Sequence, residues 1–292
     1  MTGSEPRQES AFVEWLTALP STSTCQSLGI GDDMAVIETR GTTVLLSSDM
    51  LLDGVHFESA KHSGASIGRK AIACSLSDCA AMAAIPRAVT VSIAYQHGTD
   101  LEFLKQIMLG ASAMASAYDC ALSGGDTTSW DQRLAIDVTI MAEPVDPSLI
   151  VKRSNAQEGD AIFVTGKLGG SLMGRHMSFE PRVQEGQSLA RHLQRNLHAM
   201  MDITDGLSLD LHRMCRASSV GAVLFESGVD AVISDAAREM SLADGRSPLS
   251  HALSDGEDFE LLFTVPQDCS LPEQIDALKV GEIIESGFFL QR

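Results

Sequence analysis

The chain is short of basic residues, of aromatics and of long uncharged apolar runs, and each shortage removes a class of protein. Only 21 Lys and Arg stand against 39 Asp and Glu in 292 residues, a formal charge of −18. Such a surface repels nucleic acid and anionic membrane at long range, so neither is expected as a partner. The apolar stretch Cys79 to Ile85 is far too short to span a bilayer, and Met1 to Ser10 is polar, without the apolar centre of a signal peptide. A cytoplasmic location is the resulting expectation. The six cysteines (Cys25, Cys74, Cys79, Cys120, Cys215, Cys269) form no C-x-x-C pair and have no histidine at zinc spacing, so they read as reduced, mostly buried thiols.

What remains is globular. Hydrophobic residues at 44% and charged residues at 21% are ordinary values, the 24 glycines suggest many tight turns, and the length suits two domains. Pro6 to Leu19 carries Phe12, Trp15, Leu16 and Leu19 at helical spacing. Met34 to Thr39 and Thr42 to Ser48 read as paired strands, with Asp49 at the end of the second. Ser66 to Ala84 reads as a buried helix, interrupted by Asp78. A carboxylate there must be paired, metal-bound or turned toward a cleft, since burying it bare costs several kcal/mol or forces protonation.

Further strands are expected over Ala88 to Tyr95, Cys120 to Ser123 and Leu134 to Ala142, with a helix over Asp100 to Tyr118 between the first two. Pro144 and Pro147 bracket a linker, which divides the chain into units 1–146 and 147–292. The second unit alternates strands (Ala161 to Thr165, Ala222 to Phe225, Phe259 to Val265, Val280 to Ile284) with helices (Ser171 to Met177, Gln187 to Leu197, Ser208 to Ala217, Asp230 to Leu242). The fold class is therefore α+β, built as two mixed α/β domains.

Several strings imitate known motifs. Gly166-Lys167-Leu168-Gly169-Gly170-Ser171 follows a strand like a phosphate loop, but Ala161 stands where the Walker pattern needs glycine and Leu168 follows the lysine. It is either a phosphate contact or a structural turn. Gly29-Ile30-Gly31 lacks the third glycine of a dinucleotide fingerprint, and Gly64-Ala65-Ser66-Ile67-Gly68 lacks the apolar strand that a hydrolase elbow requires. Asp202-Ile203-Thr204-Asp205-Gly206 is not an EF-hand, having neither the third ligand position nor the closing Glu.

The Asp-bearing turns matter jointly. Taken singly each is what turns are made of. Together Asp33, Asp49, Asp126 and Asp202 put hard oxygen ligands beside strand ends, where clefts of α/β proteins gather. Magnesium favours one or two carboxylates plus phosphate oxygens and water, and bound cations would invert the local repulsion of a nucleotide.

In their order, Gly29-Ile30-Gly31-Asp32-Asp33, Ser48-Asp49 with Gly54-Val55-His56-Phe57, Ser75-Leu76-Ser77-Asp78 with Ala80-Ala81-Met82-Ala83, Gly124-Gly125-Asp126-Thr127-Thr128, Met201-Asp202-Ile203-Thr204-Asp205-Gly206-Leu207 and Gly256-Glu257-Asp258-Phe259-Glu260 resemble the thiamine-monophosphate kinases. That family lies in the aminoimidazole ribonucleotide synthetase-like superfamily. The resemblance spans residues 29 to 265 and is specific in combination. It implies two domains of that type, a homodimer built on the first, and ATP-dependent phosphorylation of thiamine phosphate to thiamine diphosphate with several Mg²⁺ ions. By motif position it implies that Asp33, Ser47, Ser48, Asp49, Asp78, Asp126, Asp202 and Asp205 hold Mg²⁺, with Asp126 and Asp205 catalytic. Gly125, Arg153 and Thr204 would touch ATP, His56 and Glu257 would face thiamine phosphate, and Asp32 would support Asp33.

Thr204 stands where the family more often has Ser, and Asn155 where it usually has Gly; the first keeps a hydroxyl and the second tolerates a left-handed backbone. Two rivals bear weighing. Other branches of the superfamily use ATP on a carbonyl or a selenide and need a reactive cysteine near a terminus, where only Cys25 stands. A non-catalytic Mg-ATP-binding homologue is the other.

Overall fold

The computed structural model describes residues 11–12, 15–18 and 25–292. Residues 11–12 and 15–17 are helical; the rest of the helix expected over 6–19 lies outside the described residues.

The first sheet contains β1 (Gln26–Leu28), β2 (Ala35–Thr39), β3 (Thr42–Leu52), β4 (Ala84–Gln96), β5 (Ala121–Gly124), β6 (Thr127–Trp130) and β7 (Ala135–Pro144). Its order is β1-β2-β3-β7-β4-β5, with β6 also on β4; the β4 pairings with β5 and β6 are parallel and the others among the described residues antiparallel. Helices α1 (Gly64–Ala81) and α2 (Leu101–Ala117) accompany it. The second sheet contains β8 (Asp160–Thr165), β9 (Ala199–Asp202), β10 (Gly221–Phe225), β11 (Leu261–Pro266), β12 (Ala277–Ile284) and β13 (Phe288–Gln291), in the order β13-β10-β12-β8-β11-β9. The helices of this half are α3 (Val183–Leu193), α4 (Leu207–Ser218), α5 (Glu226–Val232), α6 (Asp235–Asp244) and α7 (Pro248–Ser254).

Strand alternation decides how these parts stack. Along β7, Ile136, Val138, Ile140 and Ala142 are buried on one face, while Asp137, Thr139 and Met141 take the other. In the second sheet both faces are covered. Ile162, Val164, Met201 and Leu262 join one core with Leu211 and Met214 of α4 and Val229 of α5. Their neighbours Met200, Leu261, Phe263 and Val265 join the other, together with α1 and the first sheet. Helix α1 is thus the shared middle layer. That explains why it is apolar nearly all round, with Ile67, Ile72, Leu76 and Cys79 all buried. Ser63 caps its start by accepting from the Ser66 N–H, and Ala83, at φ 50, turns the chain away beyond its end.

Several elements depart from the expected bounds. β3 runs on to Leu52, because its ladder to β7 continues past Asp49↔Val138 to Leu52↔Ala135, so Asp49 sits within a strand. β4 begins at Ala84 and accommodates Pro86 beside a register shift, where a missing N–H is tolerated. The helix expected over Ser171 to Met177 is two 3-10 turns, Ser171–Met173 and Arg175–Met177, broken by Gly174 at φ 141. The helix expected over Asp230 to Leu242 is α5 and α6, because the Ser234 hydroxyl accepts from the Ala237 N–H and starts a new helix. Helix α7 was not expected. It begins with a Ser247 cap and Pro248 in its first turn.

Close approach of α1 and α2 rests on two glycines. A Cβ on Gly68 would stand 1.8 Å from the Ile107 carbonyl oxygen, and one on Gly110 would stand 2.0 Å from that of Ala65. Gly68→Ala must therefore push backbone against backbone. It is expected to cost about 1–3 kcal/mol, read as a lowered urea midpoint at unchanged slope.

Candidate active site: a carboxylate-lined cavity

A cavity of about 720 Å³ opens where the first sheet, α1 and the second sheet meet. Each wall brings carboxylates. Gly31, at φ 125, lets the first turn fold tightly and present Asp32 and Asp33. On β3, alternation puts Ser47 and Asp49 on one face, and the Ser75 hydroxyl of α1 donates to Asp49 at 2.5 Å. Cys74 and Asp78, one helical turn apart on α1, both border the cavity. From the second sheet Asp202 arrives at the end of β9, where it accepts from the Ser77 hydroxyl.

The turn after Asp202 is held by a residue that sequence reading passed over. The buried Asp210 of α4 accepts from the backbone N–H groups of Thr204 and Asp205, both at 2.9 Å, and Arg213 bridges Asp205 and Asp210. Arg153, expected to touch a nucleotide, grips the first turn from the other half of the chain. Its guanidinium pairs with Asp33, and its backbone N–H reaches Asp32 at 3.2 Å. Asn155, two residues on, has φ 93, the left-handed backbone that its glycine-like position requires.

Oxygens of Asp33, Asp78 and Asp202 lie within 4.8 Å of one another. Burial, and after it the charge of Asp33, pushes Asp202 up to about 8. Burial and then Asp33 push Asp32 up to about 7. Asp78 rises well above the carboxylate range through burial and then the charges of Asp49, Asp202 and Asp33. Asp33 is raised by burial against the opposing pull of Arg153, and Asp49 by burial against its bond from Ser75. Such a group is unstable as a set of bare anions.

A cation fits the donor set. The buried Asp33 Oδ2 and Ser47 Oγ have no hydrogen-bond partner among the described residues, and the remaining donors are hard oxygens of the kind Mg²⁺ or Ca²⁺ takes. Asp33, Asp49, Asp78 and Asp202 would hold such ions.

Of the other residues singled out in the sequence, Ser47, Ser48, His56, Thr204, Asp205 and Glu257 all line the cavity. Ser48 takes the opposite strand face, donating to Asp137 at 2.9 Å. Asp126 is not brought to the trio. It is exposed and borders a neighbouring hollow with Asp137 and Met50. Gly125 lines a third space, a mainly apolar groove of about 930 Å³ walled by Ile93, Tyr95, Leu104 and Met108. The three spaces share walls, since Ile93 borders the groove and the hollow, and Met50 the hollow and the cavity.

The phosphate-loop imitation is a structural turn. Its Gly169 N–H donates to both oxygens of Asp258, and its Gly170 N–H to Asp255, all at 3.0 Å. Beyond Asp210 and Arg213, sequence reading also passed over Lys70, whose ammonium is buried against Glu257. A lysine inside an apolar helix was the available signal, of the same kind as Asp78.

Two sheets with helices, clasping an acidic cavity, define the class. The family profile for AIR synthase related protein, N-terminal domain, matches residues 31–143, and that for the C-terminal domain matches residues 173–287. Thiamine-monophosphate kinase of Rhodopirellula baltica is 40% identical over 94% of this chain and 89% of its own length. That of Synechococcus elongatus is 34% identical over 89% and 85%. A solved structure described as AaThiL complexed with AMPPCP and TMP superposes with a TM-score of 0.82 at 26% identity, covering 97% of this chain and 92% of that one. The hydrogenase maturation protein HypE of E. coli, 22% identical over 85% and 82% with a TM-score of 0.68, shares the fold. The chain belongs to the thiamine-monophosphate kinase family of kinases.

The carboxylates give a signed pH dependence. Asp202 ionises from 3.8 upward in the unfolded chain but only near 8 when folded, so the folded state holds the extra proton between those values. Folding stability contributed by this group therefore falls as pH rises through that window. In chelator, Asp202→Asn is expected to flatten the fall in melting temperature between pH 6 and pH 8. Adding Mg²⁺ should raise the wild-type melting temperature more at pH 8 than at pH 6.

Proposed function

We propose that this chain phosphorylates thiamine phosphate to thiamine diphosphate at the expense of ATP, by direct in-line transfer with Mg²⁺. The observation that carries the reading is the convergence of Asp33, Asp78 and Asp202 from both halves of the chain, with an orphaned carboxylate oxygen among them. The second pKa of a phosphate monoester is near 6, so the attacking oxygen is already charged at pH 7 and needs no general base. The task is to hold two polyanions in line. When bound, Mg²⁺ neutralises and orients the phosphate oxygens.

The protein's share is positioning. Asp33, Ser47, Ser48, Asp49, Asp78 and Asp202 hold the ions, and Asp126 and Asp205 complete the set around the transferred phosphate. Arg153 and Thr204 steady ATP, and His56 and Glu257 face the acceptor. The apolar groove beside Gly125 suits the base of the nucleotide, and the shared walls at Ile93 and Met50 support a path for its phosphates past Asp126. Division into domains 1–146 and 147–292, and a cytoplasmic location, belong to the same reading. A homodimer on the first sheet is supported by its outer face, which leaves Leu46, Met50 and Met141 exposed.

The test is formation of thiamine diphosphate from thiamine phosphate, ATP and Mg²⁺, with other phosphate esters as controls. Asp126→Asn and Asp205→Asn are each expected to lower kcat by about 100-fold or more while the circular dichroism spectrum is unchanged. Tight Mg-ATP binding without thiamine diphosphate would overturn the activity and leave a nucleotide-binding homologue.

A further inference from the structure

Lys70 has no place in the sequence-derived site, yet its surroundings single it out. It lies in the interior of α1 with 0% of its side chain exposed. A lone ammonium in such a place costs several kcal/mol or loses its proton, so what it touches decides its purpose. Its Nζ donates to Glu257 Oε2 at 2.6 Å and to the His56 backbone oxygen at 2.6 Å. One group thus ties the loop after β3 to the turn before β11.

Both partners border the cavity. Glu257 is further constrained. Its φ of 61 is uncommon for a residue with a side chain, and this backbone is fixed by its N–H to the Thr204 oxygen at 2.7 Å and by the Ser171 hydroxyl to its own oxygen at 2.6 Å. Gly256 permits the close approach, since a Cβ there would stand 2.6 Å from the Thr204 oxygen. The Leu52 N–H donates to His56 Nδ1 at 3.0 Å, which puts the neutral ring's proton on Nε2. The cavity therefore meets an acceptor carboxylate from one half of the chain and an imidazole from the other, in a register set by Lys70.

We propose that Lys70 is a positioning residue for acceptor recognition. By holding Glu257 through one oxygen it leaves the other to receive a donor group or cationic ring, and by holding the His56 carbonyl it fixes the spacing between the two recognising side chains. Discrimination for a cationic, donor-bearing heterocycle then lies in this trio, while the aspartates handle only phosphate and metal. The inference rests on the reading of the cavity as a thiamine phosphate kinase site.

The variants are Lys70→Met, Glu257→Gln and the double variant. Lys70→Met is expected to raise KM for thiamine phosphate about tenfold or more, as loss of a charged hydrogen bond does, with KM for ATP changed less than about twofold. The double variant should be no worse than the worse single one, because both break one interaction. Equal rises in both KM values, or additive losses, overturn the role in acceptor recognition. Amide hydrogen exchange of the free protein supplies a readout that needs no substrate. Lys70→Met should speed exchange at 52–57 and 255–259 and leave 29–33 unchanged, and unchanged exchange at the first two segments overturns the clamp itself. If the wild type makes no thiamine diphosphate, the kinase reading fails, and exchange still decides whether Lys70 joins the two loops.

Discussion

Mutual repulsion among buried carboxylates is the constraint on which this structure turns. Asp33, Asp78 and Asp202 come from three different elements and sit within 4.8 Å of one another, a placement that apolar packing alone would never favour. It persists because each is held by something rigid. Arg153 grips Asp33, the Ser77 hydroxyl meets Asp202, and Asp78 is carried on a helix packed between two sheets. A bound cation would offset the cost of collecting these charges and would carry phosphate with it.

Helix α1 is the device that makes the collection possible. Its apolar faces weld the first sheet to the inner face of the second, so its polar residues fall at the seam between the two halves. Lys70, Ser75, Ser77 and Asp78 each reach across to a different wall: Glu257 and the His56 carbonyl, Asp49, Asp202, and the space shared with Asp33 and Asp202. A single helix thus sets the carboxylate cluster and the Lys70–Glu257 pair in one frame. The tight crossing with α2 at Gly68 and Gly110 keeps that frame from shifting.

Much of this was legible in the chain, unevenly. The odd Asp78 in an apolar run announced itself because burying a bare carboxylate is costly, and the Asp turns were visible as a set. The extension of β3 through Asp49 was not, because strand length is decided by the partner ladder of β7. Helix α7 and the break between α5 and α6 escaped because short capped helices carry little periodic signal. Asp210 and Arg213 lie among other polar residues of α4 and carried no such signal, whereas Lys70 stood out in the same apolar helix as Asp78 and was passed over.

The order of residues along the chain sets which chemistry is available: acidic turns hinged by glycine, hydroxyls beside them, and two alternating α/β halves. Those properties are local, set by residue type and spacing. Tertiary structure decided which carboxylates meet. It brought Asp33, Asp78 and Asp202 together, left Asp126 on an adjoining surface, and turned the glycine-rich loop at Gly169 toward Asp258 instead of toward a ligand. The physical reason is that charge–charge energy depends on distances between segments far apart in the chain, and only the packing of the two sheets against α1 fixes those distances.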